Sequence, residues 1–238
     1  MATTKDPNGI SYNRIHHNYF TAKDIAYGRA IGYSGNSHHN EIDHNYIEKI
    51  KTQNQLNGHD NYFHNNVIDD VKDTELKKGQ QGNGISIEDY ALSTYNNRIT
   101  YNTIENTQGA GIAFIALGKH TTEQIFSNTI SHNYFFNCGS EYIMKNGKRY
   151  KNRFRAIYLP HYSDVKGQYF YDNVIVSDFN QTIYYRKEYL TIKEFNSKNR
   201  INKNGDKIKG NSSIFNPNTH GAGDKSEIKR EAGVDAPF

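Results

Sequence analysis

The sequence predicts an all-β protein: a right-handed parallel β-helix solenoid of about six or more rungs, closed by a short C-terminal helix. Three observations predict it. The pattern Asn-x-Φ-x-x-Asn-x-Φ, with Φ apolar, recurs down the chain. A short alternating strand introduced by Gly or another small residue precedes most copies. Asparagine occurs 30 times in 238 residues, although it is a poor helix and strand former.

The copies are Asn13-Ile15-Asn18-Phe20, Asn40-Ile42-Asn45-Ile47, Asn61-Phe63-Asn66-Ile68, Asn97-Ile99-Asn102-Ile104 and Asn128-Ile130-Asn133-Phe135, with a degenerate sixth at Gln168-Phe170-Asn173-Ile175. Their second asparagines are 27, 21, 36, 31 and 40 residues apart. That spacing fits rungs of one size carrying loop insertions of different length. The accompanying strands are Gly28–Ile31, Gly82–Ile87, Gly109–Phe114 and Arg155–Leu159. Period-two alternation makes them strands, and no 3.6-residue period competes.

Each corner between two short strands needs a residue that tolerates left-handed backbone, and Asn is expected there. Stacked at one corner, its amide would also hydrogen-bond the Asn of the next rung, so that a buried polar group is satisfied. The Φ residues would stack inside at the strand spacing of about 4.8 Å. This places the β-helix in residues 1–185. Residues 186–238 are expected to be an irregular Lys/Asn-rich excursion and a capping segment, whose helix would run from Asp224 or Ser226 to a stop at Gly233. The stretch before Asn13 offers no amphipathic cap. The N-terminal edge is therefore expected to be covered by a second chain or by further rungs.

Composition narrows the partners. The net charge of +4 is compatible with an anionic ligand. No basic helix or aromatic-basic motif points to nucleic acid, and no apolar run is long enough for a membrane span. Cys138, the single cysteine, excludes an intrachain disulfide.

In "NRIHHNYF", "NEIDHNYIEKI", "GNGISI" and "NRITYNTIENT" the sequence resembles the pectate-lyase-like superfamily of parallel β-helix proteins, over roughly residues 8–185. That superfamily holds polysaccharide lyases, glycoside hydrolases, uronate epimerases, tailspikes and adhesins. "HNYF" and "RFRAI" (Arg153–Ile157) are similar to the alginate and chondroitin lyase group. The polygalacturonase "NTD" and "GHG" and the epimerase "DPH" are missing. The resemblance implies an acidic polysaccharide partner, a site in an outer groove, and an extracellular or periplasmic location. The expected activity is β-elimination, with glycoside hydrolysis or non-catalytic glycan binding as alternatives.

Chemistry-bearing residues cluster beside the Gly-Ile strands. Glu88 and Asp89 follow "GNGISI", and Arg153, Arg155, Tyr158, His161 and Asp164 lie in "NRFRAIYLPHYSD". Arg29 matches Arg155, since both precede Ala-Ile. The insertions Lys72–Gln81 and Cys138–Asn152 would wall a groove, the second carrying Glu141, Lys145, Lys148, Arg149 and Lys151 as a basic lip. In a lyase, Arg155 or His161 would remove the proton, and Glu88, Asp89 or Asp164 would hold Ca²⁺. Arg29, Lys145, Arg149, Arg153 and Tyr158 would bind the glycan. In a hydrolase, Glu88 would need Asp164 or Glu141 as its partner carboxylate. Two further columns belong to the repeat: His17, His44 and His132, as metal ligands or solvated corners, and Tyr19, Tyr46 and Tyr134, as a sugar platform or sheet cover.

Overall fold

The computed structural model describes residues 9–22, 28–33, 35–72, 82–89, 92–116, 124–145, 148–161, 163–198 and 205–215, with the side chains at 142–145 and 149 outside that set. The chain is a parallel β-helix. Its first sheet stacks Arg14–His16, Glu41–Asp43, Tyr62–His64, Arg98–Thr100, Thr129–Ser131, Tyr169–Tyr171 and Lys207–Lys209, in chain order. The second stacks Tyr19–Thr21, Tyr46–Glu48, Val67–Asp69, Thr103–Glu105, Tyr134–Phe136, Val174–Ser177 and Ser212–Phe215. The third stacks Asn54–Leu56, Ile85–Glu88, Ile112–Ile115, Ile157–Leu159 and Ile183–Tyr185, and ends in the antiparallel strand Glu188–Leu190.

Register follows the repeat. Ile15, Ile42, Phe63, Ile99, Ile130, Phe170 and Ile208 are successive partners in the first sheet. Ile42, Phe63, Ile99, Ile130, Phe170 and Ile208 are fully buried, and Ile15 is packed against them. Burying each such side chain is worth roughly 1.5–3 kcal/mol relative to leaving it in water. Flanking residues point outward by alternation, so each sheet shows solvent a column of aligned side chains.

Two amide ladders run through the corners. In one of them, Asn66 Oδ1 accepts from the Asn45 backbone N–H at 3.0 Å and from Asn45 Nδ2 at 2.9 Å. Asn66 Nδ2 donates to Ile42 O at 2.9 Å, His64 O at 2.8 Å and Asn102 Oδ1 at 3.1 Å. The ladder asparagines themselves do not take the left-handed conformation, contrary to expectation. Positive φ falls one residue earlier, at His17, His44, Asn65, Tyr101, His132 and Asp172 before one ladder and at Tyr12, His39, Asp60, Asn96 and Ser127 before the other. The amide is held in place by five hydrogen bonds, so the bend moves to its neighbour.

Residues 186–198 and 205–215 are more regular than the sequence suggests. Arg186 and Lys187, at φ 49° and 75°, turn a hairpin, and the helix Ile192–Ser197 follows, opened by a reciprocal Thr191–Glu194 capping box. Lys207–Lys209 and Ser212–Phe215 then form a seventh rung. Asn196, on the helix, terminates one ladder by donating to Asn211 O at 2.6 Å while its Oδ1 accepts from Asn211 Nδ2 at 3.0 Å. The other ladder ends in buried Asp206, which accepts from the Gln168 N–H, Tyr185 Oη and the Arg186 guanidinium. The expected helix at 224–233 lies outside the described residues.

Candidate functional site

The third sheet carries the residues that the sequence singles out. Glu88 ends the strand Ile85–Glu88 and is only 7% exposed, and Asp89 is buried beside it. Glu88 Oε1 accepts from Gln53 Nε2 at 2.9 Å. Burial pushes the Glu88 carboxyl above the usual carboxylate range, against the opposing pull of Arg29 and Gln53 and with a small contribution from Asp89. Gln53 Oε1 is a buried acceptor without a hydrogen-bond partner among the described residues. Glu88, Arg29 and Gln53 therefore form one polar cluster.

Arg155 does not join them. Register aligns Ile85, Ile112 and Ile157, so Arg155 sits two strands from Glu88, and its side chain is engaged elsewhere. It is the largest fully buried side chain among the described residues, with its Nη atoms donating to Ser140 O and Glu141 O and its guanidinium near the rings of Phe179 and Tyr189. These contacts clamp a fully buried guanidinium on carbonyls at the base of the Cys138–Asn152 insertion, a poor position for a general base. His161 and Arg153 are exposed, and no hydrogen bond or ion pair ties either to Glu88. Asp164 immediately precedes Val165–Lys166, a strand of a separate small sheet, and Ser163 Oγ donates to it at 2.6 Å.

Tyr158 is buried, stacked on Tyr184 at 5.3 Å, with Phe154 and Tyr189 completing an apolar outer cluster. The Cys138–Asn152 insertion is an antiparallel hairpin, Tyr142–Lys145 with Lys148–Lys151. Lys151 Nζ bonds Gln181 and lies 4.0 Å above the Tyr189 ring. The side chains of Lys145 and Arg149, and residues 73–81 of the other insertion, lie outside the described residues.

The two columns expected from the repeat also change. Tyr19 is exposed and stacks on Tyr46, but Tyr46 is buried and Tyr134 half-buried, so the column is no open sugar platform. Among the described residues, two groups of possible metal ligands converge, with donor atoms within 4.8 Å of one another: His39, His59 and Asp60, and Glu41, Asp43 and His64. Neither includes the expected Ca²⁺ set Glu88, Asp89 and Asp164, nor His17, His44 or His132.

The first sheet presents a constellation that the sequence reading does not anticipate. Its outward columns, aligned by register, are Arg14-Glu41-Tyr62-Arg98-Thr129-Tyr169-Lys207 and His16-Asp43-His64-Thr100-Ser131-Tyr171-Lys209. Tyr62 and His64 stack with centroids 3.8 Å apart, and the Arg98 guanidinium lies 4.5 Å above Tyr62. His64 Nδ1 meets Asn65 Oδ1 at 2.8 Å, and its Nε2 meets Glu41 Oε1 at 2.9 Å. The left-handed φ of 52° at Asn65 swings that amide beside the ring. On the next rung toward the N-terminus, Arg14 grips buried Asp43 through Nε at 2.8 Å and Nη2 at 2.6 Å, holding its carboxyl well below the usual range. Further along, Lys207 and Lys209 lie over Tyr169 and Tyr171. The signal lay in the two residues flanking Φ in the first strand of every copy, aligned across rungs.

No family model, no curated protein and no solved structure matches the chain.

Proposed function

We propose that this chain binds a linear acidic polysaccharide along the outer face of the first sheet and cleaves it by β-elimination over Tyr62, His64 and Arg98. One observation carries the reading: a cation, a phenol and an imidazole are packed against one another on two adjacent strands. Arg98 is exposed and placed to neutralise a uronate carboxylate, which makes the neighbouring carbon acidic. His64 Nδ1 is held by Asn65, and its Nε2 takes that proton once the incoming uronate displaces the Glu41 carboxylate from it, while the Tyr62 hydroxyl protonates the leaving oxygen. The face around them suits a polyanion. It runs over seven strands, about 29 Å at the usual strand spacing, and exposes Arg14, Arg98, Lys207 and Lys209 among three tyrosines. The resemblance to pectate-lyase-like proteins points to the same substrate class.

A second reading is a binder without chemistry, favoured by the engagement of both His64 ring nitrogens at 2.8 and 2.9 Å. Incubation with uronate polysaccharides separates the two, because a lyase generates an unsaturated uronyl end that absorbs in the ultraviolet. His64→Gln is expected to lower kcat by about 10²- to 10⁴-fold, the range of a positioned acid or base. Arg98→Ala is expected to lower kcat/KM, and Glu88→Gln to leave both unchanged. Retention on an acidic glycan column without product favours the binder, and full activity of His64→Gln refutes the assignment.

A further inference from the structure

We infer that His39, His59 and Asp60 form a site for a borderline transition-metal ion such as Zn²⁺, at the corner where the chain enters the first sheet. The inference is independent of the polysaccharide reading. The fold builds the site from two adjacent rungs. His38 pairs with His59 across the rungs, which sets His39 beside Asp60. His39 and Asp60 both take left-handed backbone, at φ 53° and 54°, so the same bend turns both side chains out of the corner.

Stacking orients the two imidazoles. His59 is clamped between the rings of His38, at 5.0 Å, and Tyr95, at 4.7 Å, in a stack that continues to Phe126. His39 is backed by Tyr12 at 5.1 Å, and its Nδ1 meets His38 Nδ1 at 3.0 Å. His59 Nδ1 and Asp60 Oδ2 are 2.7 Å apart. The donor atoms of all three residues lie within 4.8 Å of one another, and binding at metal–ligand distances of about 2.0–2.2 Å requires the exposed His39 ring to rotate toward the other two.

The donor set selects the metal class. Two imidazoles and one carboxylate suit Zn²⁺ and its neighbours, whereas Ca²⁺ and Mg²⁺ take oxygen ligands. The other converging group, Glu41, Asp43 and His64, is a worse metal site because the Arg14 guanidinium already supplies its cation to Asp43.

The test is calorimetric titration of the untagged full chain with Zn²⁺ alone. One ion per chain is expected. His39→Asn and Asp60→Asn keep a residue that accepts left-handed backbone, so the corner survives. Each is expected to weaken binding by more than the roughly 10- to 100-fold contributed by an outer-shell partner. His132→Asn, at another left-handed corner with φ 55°, is expected to bind as the parent does. Absence of stoichiometric Zn²⁺ binding overturns the inference. So does affinity that survives both His39→Asn and Asp60→Asn, or that falls equally in His132→Asn.

Discussion

Asn102 shows what a single residue does in this fold. Its side chain accepts from Asn66 and donates to Phe63 O, Thr100 O and Asn133 Oδ1, all inside the protein. Asn102→Ala strands several buried polar groups, each worth about 1–3 kcal/mol. Urea unfolding should therefore show a loss of about 2–4 kcal/mol, and a change under 0.5 kcal/mol would contradict the ladder. Glu88 works in the opposite sense. Its folded-state carboxyl titrates above the unfolded one, so the cost of ionising it is absent below about pH 4.3 and appears as pH rises through the folded value. Glu88→Gln should therefore raise stability at neutral pH and give no gain in acid, as melting curves across pH would show. Asp43 has the reverse sign: the stability from its pairing with Arg14 is present above the ordinary carboxylate range and fades as pH falls below it. The ladder Asn and the inward Φ residues are legible in the sequence because every rung repeats them. The burial of Arg155 is not, since Arg29 fills a matching Arg-Ala-Ile context and stays exposed.

The elements differ in how openly they announce themselves. Strands of three residues are individually unremarkable, and only their recurrence reveals them. The hairpin at Arg186 and Lys187 is hidden because its turn needs positive φ at two successive residues, which Gly or Asn usually signals. Here tertiary contacts impose it. The Arg186 guanidinium reaches Asp206 at 2.8 Å and Val165 O at 2.7 Å, and left-handed backbone costs only about 1–2 kcal/mol per residue. The helix Ile192–Ser197 carries a readable Thr191–Glu194 capping box but is too short to show a period. Its role is to bring Asn196 onto the end of the ladder. The Arg186–Asp206 pair is buried, with side-chain exposures of 8% and 0%, so removing one partner leaves a charge without compensation. Asp206→Ala should cost about 3–5 kcal/mol in chemical denaturation. A loss no larger than that of an exposed pair, about 0–1 kcal/mol, would show that the pair does not hold the last rung.

Across the whole molecule, the same stacking that builds the core also lines up function. The three large sheets offer three outer faces, and they differ. Tyr46, Val67, Asp69, Glu105, Phe136 and Val176 on the second are all buried. The third divides between the polar cluster at Glu88 and the apolar cluster at Tyr158 and Tyr184. The first presents cations, tyrosines, histidines and short polar residues over seven strands, with its carboxylates Glu41 and Asp43 both paired to Arg14. The superhelix is legible from one sequence, whereas the choice of face is not, because it depends on outward residues 21 to 40 positions apart falling into register. A crystal structure with a uronate oligosaccharide bound would show which face takes the sugar. Sugar is expected along the first sheet, with a carboxylate at Arg98 and rings beside Tyr62 and His64. Sugar seated against Glu88 and Tyr158 on the third sheet, with the first sheet bare, would contradict it.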